Sequence, residues 1–311
     1  MAAAGPDTAP GDGGTLRGRY RGRFAPTPSG PLHLGSVVAA LGSYLEARIR
    51  DGEWHVRIDD LDAPRVVLGA ADDILRCLER LGFEWDGPVL YQSRRTPAYH
   101  AALHRLCASG LVYPCACSRK EIAEHARMGV EGPIYPGTCR EGMPTGRAAR
   151  ALRLRTQGAR VAFDDGVLGA QVHDIEHEAG DFVLYRADGV FSFHLASAVD
   201  DAELAMTDVV RGADLLESSA RQIHLMRLLG LPVPRYAHLP VVVNERGEKL
   251  SKQTHAAAID AGESGAVLYE ALRFLGQAPP GTLRDAGAPD IWQWALTHWN
   301  LKRVRGRGPG S

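Results

Sequence analysis

Apolar positions follow two alternating periods along the first hundred residues. Residues 19–24 (RYRGRF) and 54–58 (WHVRI) are short runs that read as strands. Between them Val37, Val38, Leu41, Leu45 and Ile49 recur at helical spacing, which predicts a helix over 34–50. Amphipathic repeats predict helices over 70–81 and 98–109, where Cys77 and Cys107 read as small core residues. Strands alternating with helices imply βαβ units and a parallel, nucleotide-binding α/β sheet. The periodicity stops at 113–146, which is rich in Pro, Gly and Cys, and returns over 151–155 and 181–199. A helix over 218–229 is expected to stop at Gly230 with Pro232 beyond, and weaker helical signals cover 266–275 and 290–299.

Composition narrows the class. At 311 residues the chain can hold about two domains. Apolar residues at 45% and charged residues at 23% are ordinary for a soluble globular protein. No apolar run reaches 18 residues, so no membrane partner is expected. The net charge of −1 excludes a chain that is basic throughout, so any nucleic-acid contact must be a local patch. Five cysteines, an odd number, follow a start (MAAAGPDTAPGDGG) without a basic and apolar leader. A disulfide framework is not expected, and a reducing, cytoplasmic compartment is. Only four lysines accompany the many arginines, and two of the four are Lys249 and Lys252, as if a compact ammonium were wanted there.

Three stretches carry candidate chemistry. Arg23-Phe24-Ala25-Pro26-Thr27-Pro28-Ser29-Gly30-Pro31-Leu32-His33-Leu34-Gly35-Ser36 lies between the first strand and the first helix. Its prolines and glycines stiffen the loop and let backbone approach a ligand. The helix starting near His33 points free N–H groups and its positive dipole end there, which suits a phosphate. His33 can donate to a phosphoryl oxygen, and Gly35 leaves room for adenine or ribose. Lys249-Leu250-Ser251-Lys252-Gln253 reads either as a solvated charge run or as a clamp for charge growing on a leaving pyrophosphate. Cys115, Cys117 and Cys139 fit a structural zinc site, which wants four ligands; the alternative is three free thiols. His125 could supply the fourth ligand. No Ser-His or Cys-His pair stands out at these motifs, so covalent catalysis is not expected.

H-L-G-S (33–36) and K-L-S-K-Q (249–253) resemble the two signatures of class I aminoacyl-tRNA synthetases. The stretch from Arg23, R-I-D-D-L-D-A-P-R (57–65), V-D-D (199–201) and V-V-R-G-A-D-L (209–215) resemble their glutamyl branch, over about 20 to 275. The resemblance implies an α/β ligase with a doubly wound parallel sheet, a Rossmann-type catalytic domain, acting on ATP with Mg²⁺ and on L-glutamate. It places Arg23, Phe24, Ala25, Pro26, Thr27, Asp59, Phe193 and Arg211 around glutamate. It places His33, Gly35, Ser36, Lys249 and Lys252 around ATP, with His33 and Lys252 catalytic. It selects Tyr135 as the fourth zinc ligand, through the pattern C-x-C…Y-x-x-x-C. Two positions depart from the family pattern: Asp59 stands where Glu is usual, and Phe193 where Tyr is usual.

These readings together divide the chain into a disordered tail (1–18), a first catalytic half (19–112), a zinc-bearing insertion (113–170), a second catalytic half (171–240), the KLSKQ loop with a short helical region (241–302) and a final tail (303–311). The 59 residues after Lys252 are too few for both a connector and an anticodon-reading domain, as in the short paralogues of the branch. The resemblance therefore implies that the anticodon stem-loop of tRNA(Asp) itself enters the site, with queuosine as acceptor. Arg119, Arg140 and Arg147 are candidates to hold its phosphates, and a monomer is expected. The alternatives are a truncated glutamyl-tRNA synthetase charging a 3′ end, a nucleotidyltransferase that adenylates a small acid without RNA, and a non-catalytic tRNA-binding paralogue.

Overall fold

The computed structural model describes residues 18–129, 132–242 and 264–304. β1 (Arg21–Phe24), α1 (Leu34–Arg48), β2 (Glu53–Ile58), α2 (Ala70–Arg80), β3 (Leu90–Tyr91) and α3 (Thr96–Ala108) come first. They are followed by β4 (Val112–Cys115), α4 (Arg119–His125), β5 (Met128–Gly129), β6 (Gly132–Pro133) and β7 (Ala151–Leu154). Next come the hairpin β8 (Arg160–Asp165) and β9 (Gly169–Asp174), α5 (Ile175–Glu178) and β10 (Val183–Arg186). α6 (Phe193–Glu203), β11 (Asp208–Gly212), α7 (Leu216–Leu228) and β12 (Arg235–Leu239) rebuild the α/β rhythm, and α8 (Ser264–Phe274) and α9 (Ala288–His298) end it.

β1, β2 and β3 pair in parallel, with Arg21 opposite Glu53 and Phe24 opposite Val56. β11 and β12 also pair in parallel, Asp208 opposite Arg235. The two sets meet where Thr207 N donates to Arg21 O at 3.0 Å, so β1 and β11 run side by side at the centre. Reversal of strand order at such a seam opens a crevice at the carboxyl ends of the strands. β8 joins β12, and β9 completes that sheet antiparallel to β8. β4, β7 and β10 form a separate antiparallel sheet beside the cysteines. With the small hairpin of β5 and β6, the segment 113–170 thus contributes to three sheets.

The expected helix over 34–50 forms because its apolar stripe packs on the sheet; Val37, Leu41 and Leu45 are buried. α1 lies very close to β12: a Cβ on Gly42 would come 2.5 Å from Leu239 Cδ1. Trp54 of β2, fully buried, stacks on Phe83 and meets Tyr44 edge-on, and Tyr44 and Phe83 both touch Trp292 of α9. Truncating such a tryptophan costs about 3–5 kcal/mol. A second apolar cluster gathers α3, α6 and α7, while the cleft is lined by members of the first, among them Phe24, Val38, Ile74 and Leu239. Cys77 is buried as expected, whereas Cys107 is exposed: it lies one turn beyond Leu103, at the edge of the face of α3 that buries Tyr99, Leu103 and Leu106. Among the described residues, no helix is long and apolar enough to cross a membrane.

Candidate active site

The crevice at the strand ends is a cleft of about 890 Å³, within the size range of ligand sites. It brings together side chains almost 190 positions apart: Arg23, Phe24, Ala25, Pro26, Thr27, His33, Gly35, Ser36, Asp59, Phe193 and Arg211 all line it. Lys249 and Lys252 lie outside the described residues.

The loop after β1 delivers His33 to the start of α1. His33 is the N-cap, its Nδ1 accepting the Ser36 N–H at 3.3 Å. An accepting Nδ1 places the proton of the neutral ring on Nε2. At Gly35 a Cβ would sit 3.0 Å from His33 Cε1 and press on the ring, so glycine lets His33 keep this position. Together these residues give the cleft one wall with a helix dipole and an imidazole donor.

The floor is a buried charge network that sequence reasoning missed. Asp201 of α6, fully buried, accepts Arg23 Nε on Oδ1 and Arg23 Nη2 on Oδ2, both at 3.1 Å. The same Oδ1 accepts Arg57 Nη1 at 2.7 Å. Arg57 also donates from Nε to Asp59 Oδ1 at 2.7 Å and from Nη2 to Ser197 Oγ at 3.2 Å. Neighbouring Asp200 is held by Arg95, Gln92 and Tyr99 at 2.6–2.8 Å. Burial would raise the Asp201 pKa, but the charges of Arg23 and Arg57 outweigh it and hold the carboxyl down at about 2. Asp59 moves the other way, raised by burial against the pull of Arg57. Asp59, one methylene shorter than the usual Glu, follows directly on β2 and is thus turned back onto Arg57 of that strand. The signal for this network was Arg57 between Val56 and Ile58 in β2, where burial demands acidic partners; V-D-D supplies them.

Arg211, at the end of β11, is 4% exposed. Its Nη2 donates to Ser219 Oγ at 2.6 Å and to Gln222 Oε1 at 2.8 Å, both on α7. Its Nε and Nη1 have no hydrogen-bond partner among the described residues. Burial, and then the nearby charge of Arg23, pull its pKa down to about 10. A buried, unsatisfied guanidinium lining a cleft is costly unless an anion completes it. Phe193, the first residue of α6, presents an apolar ring to the same space.

Cys115, Cys117 and Cys139 converge with their sulfur atoms within 4.8 Å of one another. Tyr135 Oη lies 3.4 Å from Cys115 Sγ and 3.7 Å from Cys117 Sγ. His125 lies outside this group, on the exposed end of α4. Three thiols and a phenol oxygen give a donor set and size that fit tetrahedral Zn²⁺. Arg153 stacks over the Tyr135 ring at 3.9 Å and would offset thiolate charge. Of the three arginines considered for RNA phosphates, Arg140 is held by Asp181 and Arg147 by Glu121. Arg119 is exposed.

Comparisons with known proteins agree with this geometry. The family described as tRNA synthetases class I (E and Q), catalytic domain, matches residues 19–273. The chain is 54% identical over 296 residues to the glutamyl-Q tRNA(Asp) synthetase of Aromatoleum aromaticum, covering 94% of each. It is 58% identical over 287 residues to the protein of that name from Dechloromonas aromatica, covering 92% of this chain and 95% of the relative. Among solved structures, a glutamate tRNA ligase from Elizabethkingia meningosepticum in complex with its amino acid is similar at TM-score 0.75. That likeness has 23% identity, covers 94% of this chain and 66% of the other, and establishes the fold.

Proposed function

The chain belongs to the class I tRNA synthetases of the E and Q type, and from that membership we propose that it activates glutamate with ATP and transfers it to queuosine at the wobble position of tRNA(Asp). The observation that carries this reading is the cleft in which the buried guanidinium of Arg211, its Nε and Nη1 without a hydrogen-bond partner among the described residues, faces the same space as the N-terminus of α1. One end suits a carboxylate and the other a phosphate.

In the first step a glutamate carboxylate oxygen bonds to the α-phosphorus of ATP in line, and the bond to the β-bridging oxygen breaks to release pyrophosphate. Arg211 and Arg23 orient the amino acid, with Ala25, Pro26, Thr27 and Phe193 shaping its pocket. The donor on His33 Nε2, the N–H groups of α1 and Lys252 meet negative charge on the phosphates. Mg²⁺ bound with ATP supplies charge neutralisation on the phosphate oxygens. In the second step a hydroxyl of the queuosine cyclopentenediol attacks the acyl carbon and AMP leaves. An unpaired anticodon-loop base can be splayed into such a cleft. Cys115, Cys117, Tyr135 and Cys139 would hold a structural Zn²⁺, and the enzyme would act as a cytoplasmic monomer.

The test offers labelled glutamate to tRNA(Asp) with and without queuosine, and to tRNA(Glu). Label confined to queuosine-containing tRNA(Asp) is the expected result. Charging of the 3′ end of tRNA(Glu) would instead make the protein a truncated glutamyl-tRNA synthetase.

A further inference from the structure

Behind Arg211, away from the cleft, lies a line of three buried side chains from three elements. Ser219 Oγ on α7 lies 2.7 Å from His238 Nε2 on β12. His238 Nδ1 lies 2.6 Å from Oδ2 of Asp165, at the end of β8. Ser219 and His238 have no exposed surface and Asp165 has 5%. The three residue types are those of a hydrolytic triad, but here the serine oxygen is covered by Arg211 and unreachable for any substrate. Its purpose must be sought in the direction its protons point.

That direction is fixed by elimination. Arg211 Nη2 can only donate, so at 2.6 Å the Ser219 oxygen is an acceptor toward it. Asp165 Oδ1 already accepts the backbone N–H groups of Val167, Leu168 and His238, at 2.9, 2.9 and 3.1 Å. These donors and His238 keep it ionised; its pKa is lowered despite burial. An ionised Oδ2 at 2.6 Å requires the proton of the ring on His238 Nδ1. Burial disfavours a second proton on His238, whose pKa is lowered, so Nε2 is an acceptor. The Ser219 hydroxyl has two acceptors within reach, His238 Nε2 at 2.7 Å and Leu215 O at 3.1 Å, and an unprotonated Nε2 at the shorter distance takes its proton. The chain then reads Arg211 N–H to Ser219, Ser219 O–H to His238, His238 N–H to Asp165, with Leu215 O as the longer alternative acceptor for the serine proton.

We propose that Asp165, His238 and Ser219 form a positioning relay that fixes the rotamer of Arg211 and directs its remaining donors into the cleft. Such a relay couples the negative charge of Asp165 to a guanidinium that would otherwise be buried without a carboxylate of its own, because the nearby Asp201 is occupied by Arg23 and Arg57. A line of hydrogen bonds running one way also strengthens each member. Gln222 takes the second Nη2 proton, so that terminal nitrogen is fully used, and among the described residues Nε and Nη1 are left for a ligand. The relay rests on the reading that Arg211 meets the substrate carboxylate.

Ser219→Ala removes the acceptor with a minimal change of volume. Glutamate-dependent ATP–pyrophosphate exchange by this variant should show KM for glutamate raised about 10-fold or more, the scale of one hydrogen bond to a charged group. KM for ATP and kcat should stay within about two-fold. Ser219→Thr, which keeps the hydroxyl, should restore most of the loss. An unchanged KM for glutamate in folded Ser219→Ala overturns the relay. Nitrogen NMR of the substrate-free wild type gives a readout independent of activity: the proton of His238 should be on Nδ1, and a proton on Nε2 overturns the relay whatever the kinetics. Absence of glutamate-dependent exchange in the wild type would sink the functional reading instead, and the relay would then be decided by the tautomer.

Discussion

Arg57 Nη1 and Asp201 Oδ1 lie 2.7 Å apart, and that same oxygen accepts Arg23 Nε at 3.1 Å. One carboxylate on α6 therefore ties arginines from two neighbouring parallel strands into the floor of the cleft. Neither arginine is free to move without leaving a buried charge uncompensated.

The first prediction follows from that pairing. Asp201→Asn removes the charge while keeping the shape, and should destabilise the protein by about 3–5 kcal/mol, the scale of breaking a buried ion pair. Because the folded-state pKa of Asp201 is depressed from 3.8 to about 2, its contribution is present above the higher value and is lost as pH falls through the lower one. Denaturant titrations across that window should show a fall in wild-type stability that is smaller in the variant. Parallel curves would show that Asp201 is not the group responsible.

The second concerns Lys252. If it meets the leaving pyrophosphate, Lys252→Ala should slow glutamate-dependent ATP–pyrophosphate exchange by roughly two orders of magnitude, the effect of removing one transition-state charge partner. An unchanged rate removes Lys252 from the mechanism.

The third uses Phe193. Its ring lines the cleft but cannot donate a hydrogen bond. Phe193→Tyr should lower KM for glutamate several-fold, since one net hydrogen bond contributes about 1 kcal/mol. No change in KM would mean that the ring edge does not face the amino acid.

The fourth concerns the cysteine cluster. Protein purified without chelator should carry one zinc per chain, and Cys139→Ser should lose most of it. Tyr135→Phe should weaken zinc retention against a competing chelator, because its oxygen lies beside Cys115 and Cys117. Zinc-free wild-type protein with three freely reactive thiols would refute the site.

Much of this was legible along the chain. The helix of 34–48 and the strands on either side announce themselves through period, because burying one face of a helix or strand needs no knowledge of distant residues. The loop that presents His33 is legible for the same reason: its prolines, glycines and cap are local. The cysteine group could be inferred from spacing, and the family pattern selected Tyr135 over His125; in the fold His125 lies outside the cluster. The exposure of Cys107 could not be read from its helix alone, where it sits beside apolar positions that face inward.

What the sequence by itself determined is the set of local elements and the residue types available for a phosphate, a carboxylate and a metal. Only the tertiary structure decided which charges meet. Arg57 and Asp201 are 144 positions apart, and His238 and Asp165 are 73 apart. No local pattern encodes such pairs, because the partner of a buried charge is chosen by strand order and helix packing. The physical reason is dielectric: in water these groups would be indifferent to one another, and only when folding removes them from solvent does each require a particular partner.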